Sequence, residues 1–447
     1  MTGLSPDDLL FGLRPLRWIW KPLLKRYTTG SWGSFRMQPG EGIFPPGMDR
    51  IGLYLHVPFC RKLCSHCPYN RVPYNPQLYR RFEDAAHQEI RLVARGLDEA
   101  SRRDGGARPR VVSLYVGGGT PTVEPQGLLR LLRHISEDLG AADDVCIELH
   151  PGAADDACLA MLKEAGVTMV SIGAQSLTDR ILDVIGRSHD ARTAEGAIRR
   201  AVATGFDTVS VDLMFALPLQ TLEDLDRDLT SVLALGADQL STYPIFAFPY
   251  TDMGRRLGLR TIRRPPGKLV RQMLNLIRKR TRESGMNQCS VWSFVRPTRR
   301  KYTSTTRHHY LGIGPSAASM LPGQFRLNTF SVEEYAKALP DRLPVALVMP
   351  VSRRLEMAYW LYWRAYEMHI PDVAFRALFG RDLEDVFGNL LSLLMRLGML
   401  RRRDGCYEVT ETAAYWIHRV QNEYALNYID RLWGRCRVDA WPLEVRF

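Results

Sequence analysis

The sequence predicts an α/β protein: an open or partial barrel of six βα units, followed by a smaller helical, winged-helix-like region. Two observations carry that reading. Six short β-branched and apolar runs are each followed by an amphipathic stretch, and the C-terminal hundred residues switch to three short helical patterns closed by a hairpin signal. With 447 residues, 45% of them apolar and 24% charged, the chain has the core of a folded protein of two or three domains and is neither disordered nor collagen-like.

The elements follow in order. Residues 5–27 mix Leu, Phe and Trp with Arg and Lys, interrupted by Pro15 and Pro22. They read as an N-terminal arm that either packs on the main domain or lies at a membrane interface. Gly- and Pro-rich residues 30–47 read as a linker. The strand candidates are 51–57, 111–116, 145–149, 169–172, 208–214 and 239–245, with helices near 76–97, 124–139, 155–165, 178–186, 190–204 and 221–236. Asp155 and Thr221 are placed as N-terminal caps. Repeated βα units imply parallel strands with right-handed crossovers and an active site at the C-terminal strand ends. The expected division is arm and linker over 1–47, barrel over 48–250, a basic connecting segment over 251–350, and a C-terminal lid over 351–447. Helices at 355–366, 372–379 and 383–397 and a hairpin through Asp404-Gly405 build that lid.

The net charge of +12 points to an anionic partner. It is concentrated: residues 253–307 hold 16 Lys and Arg against the single acid Glu283, which predicts a basic rim at the barrel mouth for an anionic substrate or a membrane, with Arg278 and Arg280 on it. Nucleic acid is disfavoured, because Leu390, Leu391, Leu393, Leu394 and Leu397 dominate the helix that would read a groove. No run of 18 uncharged apolar residues occurs, and eight cysteines are too few for a disulfide scaffold; a reducing, cytoplasmic location is expected, with peripheral membrane contact as an option.

Three of the cysteines, Cys60, Cys64 and Cys67, form a C-x3-C-x2-C loop directly after the first strand. Thiolates at that spacing suit three irons of a [4Fe–4S] cluster with the fourth iron open, or a zinc site completed by His56 or His66. Cys146, Cys158, Cys289, Cys406 and Cys436 lack such spacing and read as small hydrophobes.

Tyr54-Leu55-His56-Val57-Pro58-Phe59-Cys60, the cysteine loop, and Gly117-Gly118-Gly119-Thr120-Pro121-Thr122 together resemble the radical S-adenosylmethionine (SAM) superfamily. Within it they are similar to the oxygen-independent coproporphyrinogen III oxidase family, which includes heme chaperones and a class of methyltransferases. The resemblance implies a [4Fe–4S] cluster on Cys60, Cys64 and Cys67. It also implies one or two molecules of SAM, which the reduced cluster cleaves to a 5′-deoxyadenosyl radical that abstracts hydrogen from substrate. By the same resemblance Tyr54, Gly118, Gly119, Thr120 and Glu148 bind the first SAM. Gln175, Arg187 and Asp212 contact a second, and Gly312 and Ile313 belong to a loop that closes over the cofactor. An electron donor of the flavodoxin or ferredoxin kind is implied as partner. His308 and His309, just before that loop, are candidates for proton transfer or tetrapyrrole ligation.

Two positions differ from the oxidases. Tyr69 stands where they have a fourth cysteine, and His66 replaces an aromatic residue. The His-Asn-x-x-Tyr-Trp signature of the heme chaperones does not occur. Three functions follow: oxidase-like hydrogen abstraction from an anionic conjugated substrate, methylation of an aromatic or quinone carbon, and heme trafficking.

Overall fold

The six apolar runs are strands β1 (Arg50–Val57), β2 (Arg110–Gly118), β3 (Asp144–Leu149), β4 (Met169–Gln175), β5 (Thr208–Phe215) and β6 (Gln239–Pro244). They are parallel neighbours in sequence order, as right-handed βα crossovers require. The structure, a computed structural model, describes residues 25–27, 29–30, 34–246, 248–302, 309–339, 341–424 and 428–447. The arm read over 5–27 lies almost entirely outside these residues, as does His308.

The crossover helices are α1 (Pro76–Asp104), α2 (Pro125–Leu139), α3 (Asp156–Glu164), α4 (Asp179–Val184), α5 (Ala191–Thr204) and α6 (Leu222–Ala234). The cap signals act as read. Asp155 accepts from the Cys158 amide at 2.8 Å, and Thr221 forms a reciprocal capping box with Asp224. Helix α1 outruns its expected end at residue 97, because beyond Leu97 only Ala100 continues the buried face and the apolar period fades before the helix stops at left-handed Gly105. Leu128, Leu131, Ile135, Leu159, Ile198, Leu225 and Leu229 press the helices onto the strands' outer face in one continuous core.

The segment after β6 holds more structure than its sequence suggests. Helices α7 (Asp252–Gly258) and α8 (Gly267–Glu283) lead to strand β7 (Ser293–Val295), antiparallel to β6. Strand β8 (Tyr310–Ile313) then pairs parallel with β1 on its far side, so seven parallel strands form the barrel wall rather than six. Residues 318–328 and 345–350 extend that edge as three antiparallel strands.

Helix α9 (Arg353–Tyr366) reaches across from one end of the parallel wall to the other. Near its start Glu356 pairs with His309 beside β8, and at its end the Tyr366 carbonyl accepts from the Val291 amide beside β7. Helices α10 (Asp372–Phe379) and α11 (Leu383–Arg396) with strands 369–371, 400–403 and 406–409 complete a winged-helix-like arrangement around Trp360, Phe375, Phe387 and Tyr407. Two further helices, α12 (Glu411–Tyr424) and α13 (Asp430–Val438), follow.

The expected linker at 30–47 is partly ordered into the sheet system. Arg36–Met37 pairs antiparallel with Val445–Arg446, Gln38 bridges Val348, and buried Phe44 stacks under the Arg326 guanidinium. Among the described residues no helix is long and apolar enough to cross a membrane.

The arginines placed on the expected basic rim are tied to neighbouring elements. Arg280 forms a two-pronged pair with Asp226 (2.6 and 2.8 Å), Arg282 reaches Glu411 and Arg278 the Glu411 carbonyl. Arg299 and Arg300 pair with Asp238 and Asp144, at the N-terminal ends of β6 and β3, opposite the expected site. Acids distant in sequence thus pair with part of what a local count left as pure positive charge.

Candidate functional site

At the C-terminal end of β1 the chain passes straight into the cysteine loop. Phe59–Cys60 pairs in parallel with Val72–Pro73, and the Val72 and Tyr74 amides donate to the Pro58 and Cys60 carbonyls at 2.7 and 2.8 Å, closing the loop at its base. Arg71 braces it from inside by donating to the Cys64 and Cys67 carbonyls. Thr120 donates to the Cys60 sulfur at 3.7 Å, and Arg187 donates to the Cys64 sulfur at 3.4 Å and to the Gly173 carbonyl at 2.5 Å.

Burial raises the Cys60 thiol to about 11 and raises Cys67 as well, the Thr120 and Arg71 contacts opposing the shift. Burial thus favours the protonated form of Cys60 and Cys67, a preference that a positively charged metal reverses. The Nε atoms of Arg71 and Arg187 are buried without a hydrogen-bond partner. Three thiols on one closed loop, flanked by two guanidinium groups with donor capacity to spare, fit an anionic iron–sulfur cluster. His56 does not fit as a fourth zinc ligand. Tyr54 donates to its Nδ1 at 2.7 Å, its Nε2 donates to the Asn70 carbonyl at 2.8 Å, and burial lowers it to about 4. His66, lowered to about 4 mainly by burial, donates from Nδ1 to the Ile185 carbonyl at 3.1 Å. Among the described residues no three His, Cys, Asp or Glu side chains form a single-ion site.

Beside the loop stand the ends of β2 and β3. The Gly118 amide donates to Glu148 at 3.2 Å, and Tyr115 donates to the other Glu148 oxygen at 2.5 Å. Burial raises the Glu148 carboxyl, and these two donors partly offset it. The glycines are needed for a reason the sequence did not disclose: a Cβ on Gly119 would lie 2.5 Å from the Phe59 carbonyl oxygen, so this turn is glycine because it packs on the cysteine strand.

Further round the barrel, Gln175 ends β4 with φ of 69°, a left-handed conformation that is costly outside glycine, after a register break in the β4/β5 pairing. Its side-chain oxygen accepts from Tyr243 on β6 at 2.8 Å. Asp212 on β5 accepts from Ser171 at 2.9 Å. Burial, with the Glu148 charge second, raises its carboxyl to about 7.

Tyr54, Gly118, Gly119, Thr120, Glu148, Gln175, Arg187 and Asp212 thus gather with the three cysteines at one end of the barrel. Gly312 and Ile313 lie instead in β8. Gly312 sits opposite Tyr54 with no room for a Cβ, and the Ile313 side chain is buried in the apolar core. His309 is tied to Glu356.

Sequence reading missed Tyr115, Tyr243, Tyr302 and Arg71. The two-residue period was the available signal. Tyr115 lies in register with Tyr54, Tyr243 with Met214 two places beyond Asp212, and Tyr302 stacks 5.4 Å from Tyr115.

The family model of the radical SAM superfamily matches residues 54–232. The heme chaperone HemW of Mycobacterium tuberculosis is 30% identical over 326 residues, covering 70% of this chain and 81% of that protein. The oxygen-independent coproporphyrinogen III oxidase of Cereibacter sphaeroides is 28% identical over 402 residues, covering 84% and 85%. The solved structure of coproporphyrinogen III oxidase (HemN) from Escherichia coli superposes with a TM-score of 0.71 at 22% identity, covering 90% of this chain and 98% of that one, a likeness of fold.

Proposed function

The chain belongs to the radical SAM superfamily, in the family of HemW and the oxygen-independent coproporphyrinogen III oxidase, whose members use a [4Fe–4S] cluster and SAM; from that premise we propose that it is an oxidase-like enzyme acting on a conjugated, porphyrinogen-like substrate. When bound, the cluster and SAM supply a carbon-centred radical that removes a hydrogen atom from substrate. Cys60, Cys64 and Cys67 hold the cluster. Gly118, Gly119, Thr120, Glu148 and Tyr54 hold the first SAM, and Gln175, Arg187 and Asp212 line the space beyond it, where a second SAM or the substrate lies.

The observation that carries an enzymatic reading is the chamber's second tier. Buried Gln175 and the half-buried Asp212 and Tyr243 form hydrogen-bonded acceptors and donors past Glu148, more than a cluster and one SAM require. The site beyond Glu148 offers carboxylates and phenols. Those groups suit a substrate that presents pyrrole-type N–H donors. Gly312 and Ile313 enter this reading through backbone only, at the wall beside Tyr54. The division at residues 47, 250 and 350 belongs to the same proposal, and the separate apolar cluster around Phe375 and Phe387 supports a C-terminal unit.

Heme trafficking is the second reading, favoured by the relative named HemW. Anaerobic, reduced, cluster-loaded protein incubated with SAM and coproporphyrinogen III, followed by mass spectrometry, separates the possibilities. Decarboxylated product with 5′-deoxyadenosine supports the oxidase. S-adenosylhomocysteine with a methyl gain on an aromatic or quinone substrate supports methyl transfer instead. A heme Soret shift without SAM cleavage supports the carrier. Full cluster content and SAM cleavage in Cys60→Ala would sink all three.

A further inference from the structure

The cysteine loop is covered from outside by helix α13, more than 360 residues later in the chain. Trp433 packs against Tyr69, Phe248 and Phe330, with ring centroids 6.1, 6.5 and 6.4 Å apart. One turn on, Arg437 donates from Nη2 to the Pro68 carbonyl at 2.6 Å, and its guanidinium lies 4.7 Å from the centre of the Tyr250 ring. Tyr250 donates to the same Pro68 carbonyl at 3.2 Å.

Pro68 directly follows Cys67, so two donors converge on the Pro68–Tyr69 peptide, one residue beyond the third cysteine. Arg437 makes no ion pair with a carboxylate among the described residues, and its Nε is buried without a hydrogen-bond partner. The neighbouring Arg435, by contrast, is exposed and paired with Asp439 at 2.8 Å. The first of these two arginines therefore keeps its whole charge beside the cysteine loop in a part-buried place, where charge acts strongly; the other spends its charge in water.

We propose that Arg437 is a positioning residue for the cluster: its un-neutralised charge, fixed on the Pro68 carbonyl just after Cys67, favours the reduced cluster and raises the potential at which it accepts an electron. The inference rests on the cluster assignment to Cys60, Cys64 and Cys67. Reduction adds one electron, supplied by an external one-electron donor, and hence one negative charge to the cluster. A guanidinium held nearby stabilises that added charge, and local charge and hydrogen bonding are among the levers that set such potentials. The Cys67 thiolate is among the charges that act on Arg437, which fits this placement.

The test is a potentiometric titration of the full-length, cluster-loaded protein, followed by electron paramagnetic resonance, with iron and sulfide content measured in parallel. Arg437→Gln is expected to keep its iron and to show a reduced-to-oxidised ratio about tenfold lower at fixed potential, roughly 59 mV for one electron. Arg437→Lys restores most of the shift, and Arg435→Gln titrates like the wild type. An Arg437→Gln titration that overlays the wild type overturns the proposal. Equal loss of iron from the Gln and Lys variants also overturns it, since packing alone then explains the contact. A wild-type protein with no [4Fe–4S] signal refutes the cluster assignment itself, and this is seen before any variant is made.

Discussion

Replacing Gly119 by alanine tests the join between the glycine turn and the cysteine strand. Gly119 has no positive φ, so alanine meets no backbone strain there. Its Cβ instead falls 2.5 Å from the Phe59 oxygen, 2.8 Å from the nitrogen and 2.9 Å from the carbonyl carbon, all main-chain atoms that no rotamer change can move. Ordinary contact needs the turn or the strand to shift by about 0.9 Å. That shift is resisted by the bonds from the Gly119 amide to Val57 (2.8 Å) and from the Thr120 amide to Phe59 (2.7 Å). Overpacking of this kind costs about 1–3 kcal/mol. At about 2–4 °C per kcal/mol for a unit of 150–250 residues, Tm falls by roughly 2–12 °C. Because Cys60 rides on the displaced strand, a misplacement near 1 Å is expected to slow SAM cleavage by about 100-fold. Thermal melts, iron content and 5′-deoxyadenosine formation are the assays. Gly267→Ala, where nothing lies within 4 Å of the added Cβ, is the control. A Gly119→Ala protein matching that control in Tm, iron and turnover would refute the reasoning.

Three further outcomes are expected. Asp212, raised to about 7 mainly by burial, binds a proton in the fold that it has lost in the unfolded chain, so the metal-free protein loses stability as pH rises from about 4 to about 7. Asp212→Asn should flatten that slope in melts at pH 5 and 8, and an unchanged slope counts against the burial argument. Thr221→Ala removes the hydroxyl half of the capping box on α6, leaves the backbone bond from position 221 to Asp224, and should cost about 0.5–2 kcal/mol in urea unfolding. Arg280→Glu, which breaks the pair with Asp226, should leave the substrate KM unchanged; a raised KM would place Arg280 on a substrate-facing basic rim.

Local patterns gave the six βα units, because a parallel strand buried on both faces reads as an unbroken apolar run and its helix carries a 3.6-residue stripe. Strand β8 escaped that reading. It is four residues long, contains Gly312 and pairs with β1 some 250 residues earlier, so nothing in its neighbourhood marks it as wall rather than loop. The cysteines and Glu148 were legible from spacing and strand position. Arg71, Tyr243 and Arg437 were not, since each is an ordinary surface-type residue until the fold turns it toward the loop. The basic segment failed for the converse reason. Charge can be counted locally, but Asp226, Glu411, Asp238 and Asp144 come from other elements.

The cover over the cysteine loop also has a chronology. Residues 430–438 are synthesised some 360 residues after Cys67, about 20–70 seconds later at roughly 5–20 residues per second. During that interval the nascent chain presents Cys60, Cys64 and Cys67 without Trp433 or Arg437 over them, open to whatever delivers iron and sulfide. The pairing of Val445–Arg446 with Arg36–Met37, which ties the chain beyond α13 back to residues before β1, is made later still.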